Sequence, residues 1–339
     1  MQLKTQGMRR PIKEGAYMFG KKLLLASLML ASGFIATTAL SAENNQDTLR
    51  VLSYNINAMP APIIKNGQPL YEEIARILRQ RRSEGTHPQI LLLQEAFVGK
   101  VSIILENTGY QYVLKGPSKK ESSKKGRAHW AQQTRKAYAV SPNPQKFTNS
   151  GLYILSDFPI VNAQHKAFDS DMCAGIDCLA NKAILYAEIE VPFFATPVGV
   201  LNSHFNSRHT AKAPSKTVLK SHYKQTDVLA SFLKQLSGNN PLIVAGDFNT
   251  KHDKRYRYFR QAISVKDVAE VCFQNEKTCS IEAGTRRDEL LYDTNDKHFL
   301  GDSTKLEPVL MWRNFTETLD GRPLSDHLGY EVHYQAAGR

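Results

Sequence analysis

Polar residues of a catalytic kind recur where apolar runs end. Asn55 follows Val51-Leu52-Ser53-Tyr54, and Glu95 follows the run 90–93 and Gln94. His204 follows Val200-Leu201-Asn202-Ser203, Asp247 and Asn249 follow the run 242–245, and Asp326-His327 precede a last apolar segment. Singly, each has an ordinary explanation: Asn and Asp form turns, and a lone His is a satisfied core or surface residue. Five such ends in one chain supply carboxylates, amides and imidazoles in the combination that phosphodiester hydrolysis needs. That reaction uses a hard cation on a non-bridging oxygen, and Mg²⁺ takes one or two carboxylates plus water. It uses a base for the attacking water, a task for His beside Asp. It also uses donors for the charge growing on the phosphoryl oxygens, a task for His and Asn.

Those ends need elements to position them. Alternation and apolar content predict strands over 49–55, 90–93, 110–114, 151–155, 183–191, 198–203 and 242–245, with a last strand starting at Leu328. Helical spacing predicts helices over 71–82, 101–106 and 215–236; the last has Val218, Leu219, Val228, Leu229, Phe232, Leu233 and Leu236 as its apolar positions. Gly85-Thr86-His87-Pro88 and Gly238-Asn239-Asn240-Pro241 are breakers. No linker rich in Pro, Gly or Ser divides residues 43–339, which read as a single domain of α/β class, two packed sheets with outer helices. Sheet strands can bring their ends to one rim, where the five polar groups would converge.

The chain has 339 residues, 42% of them hydrophobic, too many for a disordered protein and enough for a full core. No period of 20–50 residues recurs, which excludes solenoids. Residues 1–42 read as a signal peptide: Lys21-Lys22, an apolar run from 23 to 40, and the small-residue pattern Ala39-Leu40-Ser41-Ala42. The rival, a membrane anchor, is poor because Ser27, Ser32, Gly33, Thr37 and Thr38 interrupt the run. Met18 is an alternative start. The expected location is therefore secreted, extracellular or periplasmic. Without those 42 residues the formal charge falls from +12 to +7, a mild basic excess that suits an anionic partner and selects none. Cys173, Cys178, Cys272 and Cys279 all lie in the exported part and read as disulfides. Three connectivities are open; the spacing favours two local loops, with a zinc site as the weaker rival.

With these residues assembled, a resemblance is visible. Asn55, Gln94-Glu95, Ser150-Gly151-Leu152, Ser203-His204-Phe205-Asn206, Gly246-Asp247-Phe248-Asn249 and Ser325-Asp326-His327 together resemble the endonuclease/exonuclease/phosphatase superfamily, in order and spacing, over roughly 49–332. The resemblance implies a four-layer sandwich of two packed mixed β-sheets flanked by helices, and Mg²⁺-dependent attack on a phosphate ester, with Mn²⁺ or Co²⁺ as substitutes. It implies Glu95 as the main metal ligand with Asn55 beside it, and His327 as the base that activates water. Asp326 would be an orienting or metal-side carboxylate, and Asp247 would hold the nucleophile or the base. Asn249 and His204 would bind the phosphate. Which carboxylate pairs with His327 stays open.

Two further stretches are similar to the neutral sphingomyelinase branch of that superfamily: the segment 150–160, and Asp177-Cys178-Leu179-Ala180-Asn181-Lys182-Ala183. Ala183 stands where the branch has Gly, and Ser203-His204-Phe205-Asn206-Ser207 and the loop Ala58-Met59-Pro60-Ala61-Pro62 depart from its pattern. The resemblance implies a monomeric sphingomyelinase C acting on a phospholipid membrane surface, with Phe193-Phe194 on a predicted hairpin tip either inserting in lipid or packing under the sheet. A buried strand at 308–312 is a lesser candidate for lipid contact. A secreted endonuclease or another phospholipase C is the alternative. The nuclease would use nucleic acid along the basic stretches 115–127 and 251–260, the second interleaved with Tyr256, Tyr258 and Phe259. A non-catalytic adhesin on a decayed enzyme fold is disfavoured, because every expected catalytic position is filled.

Overall fold

The computed structural model describes residues 47–61, 63–64, 66–121, 146–236, 240–282, 290, 294–301 and 305–338. Residues 1–42, which read as a signal peptide, Lys124, Lys125 and Arg127 of the first basic stretch, and the breaker at Gly238-Asn239 lie outside the described residues. No described helix is long and apolar enough to cross a membrane.

One sheet has seven strands: β1 (Leu49–Ala58), β2 (Ile90–Ala96), β3 (Tyr112–Lys115), β4 (Tyr153–Ser156), β10 (Ser280–Ile281), β12 (Leu306–Asn314) and β15 (Gly329–Ala336), in the order β10-β12-β15-β1-β2-β4-β3. The other has six: β5 (Ile160–Ala167), β6 (Ala183–Ile189), β7 (Val198–His204), β8 (Leu242–Asp247), β9 (Lys266–Asp267) and β11 (Asp296–Leu300), in the order β5-β6-β7-β8-β11-β9. A short hairpin, β13 (Thr318–Leu319) and β14 (Arg322–Pro323), stands apart. Both sheets are mixed: β1 runs parallel to β2 and β7 to β8, while their other named neighbours are antiparallel.

Period-2 alternation divides each strand between two cores. Leu49, Val51 and Leu92 of one sheet meet Leu185, Val200, Ile243 and Ala245 of the other in the inner core. Leu52, Tyr54, Ile56, Leu91 and Leu93 face outward onto Ile74 and Leu78 of α1 (Gln68–Ser83) and Ile104 of α2 (Ser102–Asn107). Leu201 and Val244 face outward onto Leu229 and Phe232 of α3 (Ser215–Gln235) and Phe259 of α4 (Asp253–Ala262). The result is the expected helix–sheet–sheet–helix stack. A fifth helix, α5 (Val268–Gln274), is capped by the Asp267 side chain on the Ala269 N–H. Cys173–Cys178 and Cys272–Cys279 are both disulfide-bonded, as the local-loop reading expects.

Regular segments without a sequence signal are β5, β9, β10, β11, β13, β14 and α5, and β12 runs beyond the 308–312 read from the sequence. Strand β11 was hidden because it reads Asp296-Lys297-His298-Phe299-Leu300, with three polar residues in five. They are buried through partners: Lys297 Nζ donates to the Leu290 carbonyl (2.6 Å), and His298 lies 2.9 Å from the Tyr334 hydroxyl.

Candidate active site

The inner file of each central strand changes from apolar to polar as it nears one rim. On β1 it reads Leu49, Val51, Ser53, Asn55; on β7, Val198, Val200, Asn202, His204; on β8, Ile243, Ala245, Asp247. The apolar part makes the inner core, and the polar part lines the end of the sandwich. Beneath the rim Gln94 Nε2 donates to Asn202 Oδ1 (2.8 Å) and Ser53 Oγ (3.1 Å). Asn202 Nδ2 in turn donates to the Leu93 and Tyr153 carbonyls (2.9 Å each), so the two sheets are pinned together below the site.

Glu95 breaks the alternation. Period 2 would turn it outward toward the helices, but its φ of +55° swings it into a cavity of about 370 Å³ shared with His204, Asp247, Asn249, Asp326 and His327. A left-handed Glu costs on the order of 1–2 kcal/mol, a strain that surrounding structure must hold. Gly151 lies against the residues that follow: a Cβ there would sit 2.6 Å from the Phe97 ring, and its φ is +69°. Asn249 also has positive φ, +51°, which Asn tolerates, and this lets its amide N–H turn back to Asp247 Oδ1 (3.0 Å).

His327 Nδ1 lies 2.8 Å from Asp296 Oδ2. The Asp296 carboxylate accepts, so Nδ1 carries the proton and Nε2 faces Asp247 Oδ2 at 3.8 Å. Asp296, at the start of the polar strand β11, is the functional residue that sequence reasoning missed; it orients His327. Asp326 does not: it is exposed, its Oδ1 lies 3.4 Å from Ser325 Oγ, and it lines the cavity beside Glu95. The orienting half of the Asp326 expectation is thus corrected, because the neighbour in sequence points elsewhere. Ser325 Oγ also donates to the Asn55 carbonyl (2.7 Å), tying the loop to β1.

Asp247 accepts from Asn55 Nδ2 at 2.9 Å, and Asn55 Oδ1 accepts the Asn57 N–H at 3.0 Å. His204 is buried, with Nε2 3.5 Å from Asp247 Oδ2, 3.6 Å from Glu95 Oε1 and 3.0 Å from Lys182 Nζ. Lys182 was noted only as part of a signature; here its ammonium also donates to the Phe205 carbonyl (2.6 Å) and pairs with Asp177 (3.0 Å). Lys182 donating to Nε2 leaves the proton of His204 on Nδ1, which is buried without a partner. The disulfide Cys173–Cys178 closes the turn that carries Asp177, whose other oxygen accepts from Ser207 Oγ at 2.7 Å.

The charges are strongly shaped by burial. Burial pushes the Glu95 carboxyl up to about 7, against the opposing pull of Lys182. Burial also raises Asp247. Burial, then the positive neighbours Lys182 and His327, hold His204 well below its ordinary value, so it is neutral. For His327 burial acts downward, but Asp296, through charge and hydrogen bond, with Asp247 and Asp326, outweighs it and raises the imidazole well above its ordinary value.

The donor set fits a hard divalent cation. Glu95 is a carboxylate with no basic nitrogen at hydrogen-bond length among the recorded contacts, and it shares the cavity with Asp247 and Asp326. Ligand atoms of Asp247, Asp296 and His327 also come within 4.8 Å of one another, but the 2.8 Å bond between the last two is the geometry of a proton-transfer pair.

The second basic stretch is largely committed to the protein itself. Arg255 is buried and donates to the carbonyls of Asn206, Asn249 and Ser207; Arg260 pairs with Glu270 and Arg257 with Asp253. Phe259 is buried, Tyr256 bonds Asp267 and Glu270, and Tyr258 stacks on Tyr223 at 3.9 Å. The hairpin with Phe193 and Phe194 follows β6 and precedes β7, whose far end carries His204. Six residues at about 3.3 Å each put the tip roughly 20 Å from the site, on the opposite rim. Its rings are half-buried and pack on the inner core, Phe193 edge-on to Phe158 at 6.3 Å.

A fold of two mixed sheets with an acid–imidazole site on one rim defines a class, and residues 52–327 match that class as the Endonuclease/Exonuclease/phosphatase family. The chain belongs to this family and is a hydrolase of the phosphodiesterase type. Among solved structures it is similar to a mutant beta toxin from Staphylococcus aureus with bound magnesium ions, at 16% identity and a TM-score of 0.59, covering 84% of this chain and 99% of that one. It is similar to sphingomyelinase C from Streptomyces griseocarneus, at 19% identity and a TM-score of 0.56, covering 86% and 99%. It is also similar to TDP2 of D. rerio complexed with a single-strand DNA product, at 17% identity and a TM-score of 0.57, covering 85% and 99%. No curated protein matches the sequence.

Proposed function

We propose that the protein is an exported, divalent-cation-dependent phosphodiesterase that hydrolyses sphingomyelin to ceramide and phosphocholine. The chemistry rests on one observation: the Asp296–His327 pair, with Nε2 of the imidazole open to the cavity opposite Glu95. His327 Nε2 takes a proton from water as the water oxygen bonds to phosphorus and the ester P–O bond breaks; the departing alkoxide takes a proton from solvent to become ceramide, and the imidazolium returns its own to solvent. Asp296 keeps the required tautomer and stabilises the imidazolium. Asp247, held by Asn55 and the Asn249 amide, faces that proton-transfer end. Glu95 and Asn55 would hold the cation, which supplies Lewis-acid polarisation of a phosphoryl oxygen. Lys182 supplies positive charge beside His204, where charge develops on the non-bridging oxygens.

The headgroup assignment is supported by the segment 177–183, the stretch similar to the sphingomyelinase branch: Lys182 of that segment is part of the cavity wall's bonding. The two disulfides accord with an exported protein. The endonuclease remains the second reading, favoured by Arg208 and Lys251 at the cavity mouth. A paired assay separates them: phosphocholine release from sphingomyelin and phosphatidylcholine vesicles, against nicking of supercoiled DNA, both with Mg²⁺ and with His327→Ala and EDTA as controls. Control-sensitive phosphocholine release without nicking is expected; nicking without lipid cleavage overturns the lipid reading.

A further inference from the structure

The rim that carries the site has two kinds of exposed surface that catalysis does not use. The first is apolar. Among the large hydrophobic side chains recorded as exposed, the two most exposed are Phe147 (67%) and Ile63 (60%). Ile63 lies in the loop that continues β1 beyond Asn55, in a turn closed by its own N–H on the Pro60 carbonyl (3.0 Å). Met59, Pro60 and Ala61 precede it, so this loop is apolar through most of its described length. Phe147 donates its N–H to the Leu179 carbonyl (2.7 Å), three residues before Lys182, at the start of β6 and hence on the same rim.

The second surface is basic. Residues 207–226 contain five Lys and Arg and no Asp or Glu. Arg208 lines the cavity; Lys212 follows in the loop before α3, Lys216 and Lys220 stand on its first turns, and all four are exposed. Lys224 is held by Asp171 at 2.6 Å. The charge therefore concentrates at the mouth end of the helix.

Exposed apolar side chains and a run of exposed cations at one rim fit one kind of partner, a bilayer surface with anionic headgroups, in which apolar groups enter the acyl boundary and cations meet phosphates. A nucleic acid would meet the cations but leave Ile63 and Phe147 in water, and the aromatic pair Tyr223–Tyr258 is stacked on itself with Tyr258 bonded to Asp227. We propose that this rim docks on phospholipid bilayers containing anionic lipid, with Ile63 and Phe147 entering the interface and Arg208, Lys212, Lys216 and Lys220 facing the headgroups. This builds on the lipid-substrate reading above and replaces the Phe193–Phe194 hairpin, which the fold puts on the far rim.

The test uses the full chain carrying His327→Ala, so that hydrolysis does not alter the vesicles, in sedimentation with phosphatidylcholine vesicles with and without phosphatidylglycerol. Ile63→Asp is expected to weaken partition into both vesicle types about tenfold. Lys212→Glu with Lys216→Glu is expected to weaken binding to the anionic vesicles at least about fivefold per site and leave the neutral ones nearly unchanged. With His327 intact, both variants should hydrolyse the soluble ester bis(p-nitrophenyl) phosphate at the parent rate, which shows that they fold. The proposal is overturned if Ile63→Asp partitions like the parent, or if anionic lipid does not tighten binding. It is equally overturned if the lysine variant loses affinity for duplex DNA while vesicle binding is unchanged. Vesicle docking by a parent that releases no phosphocholine would leave the docking surface standing and sink the headgroup assignment; release unaffected by either variant would do the reverse.

Discussion

Two glutamates at the seven-stranded sheet differ in what surrounds them, and the difference separates structure from function. Glu331, on β15, is fully buried and met by Arg81 through two bonds (2.8 and 3.0 Å), by Asn314 (2.9 Å) and by His333 (2.8 Å). Burial pushes its pKa up, but the bonds to His333 and Arg81 outweigh burial and the carboxyl ends below its ordinary range. Glu95, at the end of β2, is also removed from bulk water, yet no base bonds it directly, and burial raises its pKa to about 7 against the pull of Lys182. The opposite rim repeats the compensated pattern: Asp157, just after β4, is bonded by Arg82 and His87 at 2.7 Å each. A strand-end carboxylate is therefore no site by itself. What marks the site is negative charge that the protein leaves unmatched, as a surface prepared for a cation must.

The sharpest break of this comparison is removal of the chemistry at the uncompensated end. His327→Ala should lower kcat by roughly 10³–10⁴-fold, and EDTA should abolish turnover, while circular dichroism stays native; activity that survives chelation sinks the cation assignment. The same exchange at the two glutamates should then have opposite signs. Glu331→Gln leaves Arg81 facing a neutral partner and should cost about 3 kcal/mol of stability in urea melts. Glu95→Gln should stabilise the chelated protein at pH 8 by on the order of 2–3 kcal/mol, because a carboxyl raised from its unfolded value to about 7 loses stability as pH climbs through that range. Mg²⁺ should recover that loss in the parent and do nothing for the variant.

Asp296→Asn refines the role of the residue that orients the base, with an expected loss of about 10²-fold in kcat. The base must be neutral to act, so activity should rise with pH through the raised value of His327; without the Asp296 charge that limb should move to lower pH. A limb that stays in place would mean that Asp247 and Asp326 set it instead. The smallest effect expected is at the Cys173–Cys178 loop: Cys173→Ser with Cys178→Ser should cost about 2 kcal/mol and weaken the Asp177–Lys182 clamp, read as a fall in kcat larger than any change in KM.

The main strands and the large helices were legible because burial on one or both faces leaves a periodic apolar record, as in 49–55, 90–93 and 215–236. The five strand ends were legible because each polar group borders such a run, the first four after it and Asp326-His327 before it. Strand β11 left no such record: Lys297 is satisfied by the Leu290 carbonyl in the loop before it, and His298 by Tyr330 and Tyr334, which are distant in sequence. Asp296 shared that obscurity. The hairpin at Phe193 was correctly placed between its strands; its rim follows from chain order, because it precedes the strand whose far end carries His204.

The order and chemical types of the site residues, the layer count and the paired cysteines follow from the sequence, because local pattern and covalent chemistry suffice for them. Only the tertiary structure decided that His327 is oriented by Asp296 rather than by its neighbour Asp326, that Lys182 reaches His204, and that Arg255 serves backbone carbonyls. Each depends on the register with which separate strands meet. A shift of one residue would turn these side chains to the opposite face, so the choice of partner belongs to the packed sheets and not to any one segment.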